Sequence, residues 1–105
     1  IKAAGGIPIL AHPGIHEVPS REKFIEMCLE AGIEGIEVEY TYSKNRPFFN
    51  TDKAQWAQEF FPKYFRKLAE KYNLIKSGGS DYHGGKKGII IGEANVPDIY
   101  LKNFI

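Results

Sequence analysis

Ile7-Pro8-Ile9-Leu10-Ala11 is the first apolar run of the chain, entered from Gly5-Gly6 and stopped by His12-Pro13-Gly14. A short apolar run bounded by glycine and proline predicts a buried strand, with Pro8 near its start, where a missing N–H is tolerated. The period then changes. Ser20 offers an N-cap, and Phe24, Ile25, Cys28 and Leu29 recur at helical spacing up to Gly32, which fits the position just past the last turn. From Ile33 to Tyr40 the residues alternate, which predicts a second strand with Ile36, Val38 and Tyr40 on one face and Glu37 and Glu39 turned out of it.

Residues 41–51, "TYSKNRPFFNT", are polar and aromatic without a period. A connection of that length in a small domain is functional or mobile more often than not. Asp52 with Gln55 has the form of a capping box, and a second helix is expected from there. Trp56, Phe60, Tyr64, Leu68 and Tyr72 recur every fourth residue, with Phe61 and Phe65 widening the stripe, so this face is expected in the core. Pro62 either kinks one long helix or starts a second one after a break. Asn73 suits a left-handed closing position. Leu74-Ile75-Lys76-Ser77 predicts a third strand, Ile89-Ile90-Ile91 a fourth, and Pro97 opens a last short helix through Phe104. The predicted order is β-α-β-α-β-β-α, an α/β chain with mostly parallel strands joined by right-handed crossovers. No internal repeat, low-complexity tract or linker divides it, so residues 1–105 are expected to form a single domain.

Charge narrows the functional classes. Fourteen basic and 13 acidic residues leave a formal net charge of +1, with no basic excess of the kind that holds nucleic acid by its phosphates. Nucleic acid is therefore not expected as a bound scaffold. No apolar run approaches the length of a membrane span. One cysteine, Cys28, excludes an internal disulfide and points to a reducing, cytoplasmic setting; on the helical stripe it is expected as a core residue. The chain opens on Ile1 and enters an apolar strand within a few residues, so the N-terminal part of a longer protein is expected to precede it.

Candidate chemistry gathers where the strands end. Parallel α/β folds place their sites at the carboxyl ends of strands. His12 follows strand one, Glu37 and Glu39 lie near the end of strand two, and Asp81 and His83 follow strand three in Gly78-Gly79-Ser80-Asp81-Tyr82-His83-Gly84. Imidazole nitrogen with carboxylate oxygen suits borderline divalent metals such as zinc, manganese or iron. Each residue also has a plainer reading. Asp81 can cap a turn, His12 can be a loop histidine, and Glu37 and Glu39 can face solvent. His16 ranks below His12, because nothing else converges on it.

The stretches "GGIPILAHPG", "GIEGIEVEY" and "GGSDYHG", in this order, resemble the C-terminal half of the PHP (polymerase and histidinol phosphatase) superfamily, with stand-alone metal-dependent phosphoesterases as the best fit. The resemblance covers essentially the whole chain. It implies a partial, distorted (β/α)7 (TIM-like) barrel and a site of two or three divalent metals that hydrolyses phosphoesters. Carried over residue by residue, His12, Asp81 and His83 are implied metal ligands, and Glu37 is a site-lining candidate. Lys44 and Arg46, in the loop after strand two, are candidates for contacting phosphate, against the plainer reading of solvated basic residues.

The family's N-terminal His-x-His motif and its bridging Glu have no counterpart in these 105 residues. The chain thus reads as the C-terminal part of a PHP domain. The isolated chain is expected to bind metal weakly, to lack turnover, and to self-associate through open strand edges and uncovered apolar faces. The expected substrate of the complete domain is a nucleotide or other small phosphomonoester, or a nucleic-acid end. The alternative is a non-catalytic metal-binding or interaction module, akin to polymerase-associated PHP domains.

Overall fold

The first apolar run contributes only two residues to a ladder. In the computed structural model, which describes residues 1–85 and 88–104, β1 is Ile9–Leu10. Pro8 stands just outside it and accepts N–H bonds from Glu34 (2.9 Å) and Gly35 (3.2 Å) through its carbonyl. Helix α1 spans Arg21–Ala31. Its ends follow the sequence signals: Ser20 Oγ accepts the Lys23 N–H at 3.3 Å, and Gly32 (φ 106°) closes the helix in a left-handed conformation. The Ile33 N–H then reaches back to the Cys28 carbonyl at 3.2 Å, as in a Schellman cap. Strand β2 is Gly35–Tyr40, helix α2 is Ala54–Lys71 and β3 is Ile75–Gly79. The result is a mixed α/β fold around a parallel three-stranded sheet in the order β1-β2-β3.

Burial on β2 follows the alternation: Ile36, Val38 and Tyr40 are buried against α2 and its neighbours. The β2–β3 ladder runs from Gly35–Ile75 to Glu37–Ser77, then shifts register so that Glu39 faces Gly78 and Tyr40 faces Gly79. The strongly buried aromatic group lies beneath this strand. Tyr42 packs at 5.0 Å on Phe61, Phe61 stacks on Phe65 at 5.8 Å, and the Arg21 guanidinium sits 4.9 Å over the Phe61 ring.

Four expectations are corrected. Asp52 does not cap α2: the N-cap position is Lys53, with no side-chain cap, and Gln55 instead donates to Glu59 at 3.2 Å. The turns that close Phe48, Thr51 and Ala54 carry the chain past Asp52 before the helix begins. The buried line of α2 is Ala57, Phe61, Phe65, Leu68 and Ala69, whereas Trp56 is 46% exposed and Phe60, Tyr64 and Tyr72 are only partly buried. A strict four-residue repeat drifts by about 40° per step around a helix of 3.6 residues per turn, so the 56-60-64-68-72 series spirals off the core face. Pro62 is buried inside one continuous helix, which resolves the alternatives it posed.

Third, residues 89–91 form no strand. Ile89 is buried, but Ile90 and Ile91 are 67% and 78% exposed. A fourth parallel strand needs a crossover of about a dozen residues or more, longer than the connection available here after β3. Gly88 (φ 67°) and Gly92 (φ 81°) also turn the backbone left-handed on either side of the isoleucines. Last, the final helix is a 3-10 segment, Asp98–Asn103, with Pro97 at its N-cap and Tyr100 buried. The order of strands and α-helices among the described residues is therefore β-α-β-α-β, followed by turns and the 3-10 segment. No helix among them is long and apolar enough to cross a membrane.

Candidate functional site

One residue past the end of β1 the chain reaches His12, whose backbone sits at φ 25° and ψ 63°, a sparsely populated region for a residue with a Cβ. Two contacts hold it there. The His12 N–H donates to Glu37 Oε1 at 2.7 Å, tying the end of β1 to β2. Two residues on, the Gly14 N–H donates to the Tyr42 hydroxyl at 3.1 Å. A Cβ on Gly14 would lie 2.7 Å from ring atoms of both Phe61 and Tyr42, so only glycine lets this loop settle onto the aromatic core. The His12 ring lies 5.0 Å from that of Tyr40, and its Nδ1 is buried with no hydrogen-bond partner among the described residues.

After β3 the chain turns at Asp81, with φ 58°. The turn is clasped by consecutive residues at the end of β2. The Tyr40 hydroxyl donates to Asp81 Oδ2 at 2.8 Å, and Thr41 Oγ1 donates to the Ser80 carbonyl at 2.7 Å. Asn45, 5% exposed, donates through Nδ2 to the Thr41 carbonyl (2.7 Å) and to Thr41 Oγ1 (2.9 Å). Gln58 of α2 donates to the Tyr40 carbonyl at 2.7 Å. The clasp is thus anchored to the helix as well as to the sheet.

The two glutamates of β2 have different fates. Glu39 accepts from Arg66 Nη2 at 2.5 Å and from the Tyr100 hydroxyl at 3.1 Å, so it joins α2 and the 3-10 segment to the strand. Glu37 stays at the rim. Burial raises its carboxyl above the ordinary range; the His12 N–H opposes that rise and the charge of Asp81 adds to it. The Tyr40 phenol is also raised, first by burial and then by its bond to Asp81, so it remains a proton donor across the physiological range.

A cleft of about 650 Å³ opens at this rim. It is lined by His12, Tyr40 and Asp81 and, from the loop after β2, by Lys44 and Arg46. Ile15 and Phe49 add apolar surface. Of the residues singled out from sequence, His12, Asp81, Lys44 and Arg46 therefore share one cavity, and Glu37 braces it from β2. His83 stands apart from that lining. Its side chain is 55% exposed, and its Nδ1 lies 2.7 Å from the carbonyl of Asp81 and 3.4 Å from Asp81 Oδ1. His16 is exposed, 6.0 Å from the His12 ring. Cys28 is half-buried on α1, and burial pushes its thiol up, away from reactivity.

Sequence reasoning did not identify Tyr40, Thr41 and Asn45 as site residues. Alternation marked Tyr40 as core, which its ring is, but gave no sign of where its hydroxyl reaches. Among the described residues no group of three or more His, Cys, Asp or Glu is arranged to hold a metal ion. The buried, unpartnered Nδ1 of His12 suits an imidazole ligand, and Asp81 brings a carboxylate to the same cleft. These donors fit one side of a metal site and do not complete one. No protein-family model, curated protein or solved structure matches this chain.

Proposed function

We propose that the cleft is the C-terminal share of a PHP-type phosphoesterase site, in a chain that forms part of a distorted (β/α)7 barrel. The observation that carries this reading is the meeting of His12 and Asp81, from the ends of two parallel strands, with Lys44 and Arg46 in one cavity. Phosphate recognition needs cationic donors, and metal ligation needs an imidazole and a carboxylate; both kinds of group line this one rim.

In this reading Lys44 and Arg46 bind the phosphoryl oxygens. His12 and Asp81, with His83 following on the same turn, are the ligands for divalent metal, and Glu37 holds His12 in place through its backbone. Zinc, manganese or iron bound by such donors supplies Lewis-acid chemistry to hydrolysis of the ester. The remaining ligands belong to sequence outside these residues.

The second reading, a metal-binding or interaction module without turnover, is favoured by the incomplete donor set among the described residues. Binding and turnover separate the two. Titration of the chain with manganese, and separately with inorganic phosphate, should perturb NMR signals of His12 and Asp81, and of Lys44 and Arg46, respectively. Phosphatase turnover by a polypeptide that includes this chain, lost in Asp81→Ala, selects the enzyme; binding without turnover selects the module. Absence of any common response at these residues overturns both.

A further inference from the structure

We infer that the groove between the β1–α1 loop and the start of α2 is a second anion site, separate from the proposed phosphoesterase cleft, and that it takes a small aromatic oxyanion. The groove holds about 270 Å³. Arg21 and Lys53 line it with positive charge, Phe48 and Trp56 give it an aromatic wall, and Glu17 is its one acid. Neither Lys44 nor Arg46 lines it, and only Ile15 is common to the groove and the cleft.

Arg21 carries the argument. Its guanidinium lies 4.9 Å over the Phe61 ring, and its Nε is buried with no hydrogen-bond partner among the described residues. Elsewhere a cation has its acid: Arg66 pairs with Glu39, and Lys71 with Glu22. Glu22 follows Arg21 directly in sequence but is taken by Lys71 and by the Tyr72 hydroxyl. No carboxylate among the described residues pairs with Arg21 or Lys53. A partly buried charge without such a partner costs free energy that one aromatic face offsets only in part. The planar fork of an arginine offers N–H donors in the spacing that carboxylate and phosphate oxygens fill. An oxyanion in the groove completes that set, with Lys53 as a second positive charge.

The aromatic wall adds the second element of the ligand. Trp56 is 46% exposed although it is large and apolar. Phe60 stacks on it at 14°, and Phe48 meets it edge-on, so the indole is fixed in place while it stays open to the groove. A fixed indole beside an unpaired guanidinium suits a ring that carries its charge close by.

The test uses the 105-residue chain with benzoate and phenyl phosphate as probes, read by NMR at the Arg21 Nε–H and the Trp56 indole N–H. Both signals should shift together. The tighter of the two probes tells whether a carboxylate or a phosphate is the natural group. Benzamide, with the same ring and no charge, should bind about tenfold more weakly, since a charge-assisted hydrogen bond is lost. Arg21→Gln should weaken benzoate by a similar factor, read at Trp56, while Ile36 and Val38 report that the core stands. Arg46→Gln, in the cleft, should leave the response as it is. No shift of the two signals, equal binding of benzamide, an unchanged response in Arg21→Gln, or its loss in Arg46→Gln overturns the site. Where Arg21→Gln does not fold, benzoate against benzamide on the parent chain decides. If an anion binds only in Glu17→Gln, Glu17 is the partner of Arg21 and the proposal falls.

Discussion

The face of β2 that packs on α2 and the rim at its carboxyl end share a strand but follow different rules. On the face, Ile36 and Val38 are buried among apolar neighbours, and their packing contributes mainly through area removed from water. At the rim, Glu37, Tyr40 and Thr41 are polar or bear a polar tip, and each contacts a loop from another strand: His12, Asp81 and Ser80. The face sets how stable the chain is. The rim sets where two loops go. Tyr40 belongs to both, with its ring in the core and its hydroxyl in the site.

That contrast predicts unequal consequences. The largest belongs to the face: Phe61→Ala should destabilise by about 3–5 kcal/mol in urea unfolding, because it empties the centre of the aromatic cluster. A loss under about 1 kcal/mol would mean that the cluster is not the core. Gly14→Ala lies where face and rim touch. Its Cβ would overlap Phe61 and Tyr42, so about 1–3 kcal/mol should be lost, and the signals of His12 should move with those of the core. If stability falls while His12 stays in place, the loop is held by Glu37 alone.

Thr41→Val should cost about 1–3 kcal/mol, because it removes both the bond to the Ser80 carbonyl and the one that Thr41 Oγ1 accepts from Asn45, with the change in amide exchange confined to the turns at Ser80 and at residues 41–45. Loss of protection throughout β2 would erase the distinction between rim and face. The smallest effect is a dependence on pH. The Glu37 carboxyl is raised in the folded state, so the folded chain holds that proton to higher pH than the unfolded chain does. Its favourable contribution is fully present below the unfolded value and is lost as pH rises through the folded one. Glu37→Gln, which still accepts the His12 N–H, should flatten this part of the stability profile. An unchanged profile would place the dependence on another group.

Reading the sequence located helix α1 with both caps, the buried face of β2 and the order of the first three strands. Those features rest on local chemistry: Ser20 and Gly32 act within a turn of their own helix, and alternation reports a strand two residues at a time. It named Phe61, Phe65 and Leu68 of the α2 core but centred the face on the 56-60-64-68-72 series, because a four-residue repeat resembles a helical face over two turns and departs from it over five. It read a strand in Ile89-Ile90-Ile91 because β-branched residues favour extended backbone, while the glycines on either side turn the chain away. The candidate residues His12, Asp81, Lys44 and Arg46 were legible from their places after strands, and they do line one cleft.

The sequence by itself determined which residue types stand at the strand ends, since order along the chain and a parallel sheet suffice to bring those ends to one rim. Only the tertiary structure decided how they are used. Glu39 is taken by Arg66 and Tyr100 while Glu37 braces His12, although both glutamates lie on the same alternating pattern. Tyr40 serves the site as well as the core for the same reason. A hydrogen bond depends on a few tenths of an ångström and on direction, and the partners at this rim are separated by 25 to 41 positions in sequence. No local pattern encodes such a distance; the pairing of β1, β2 and β3 creates it.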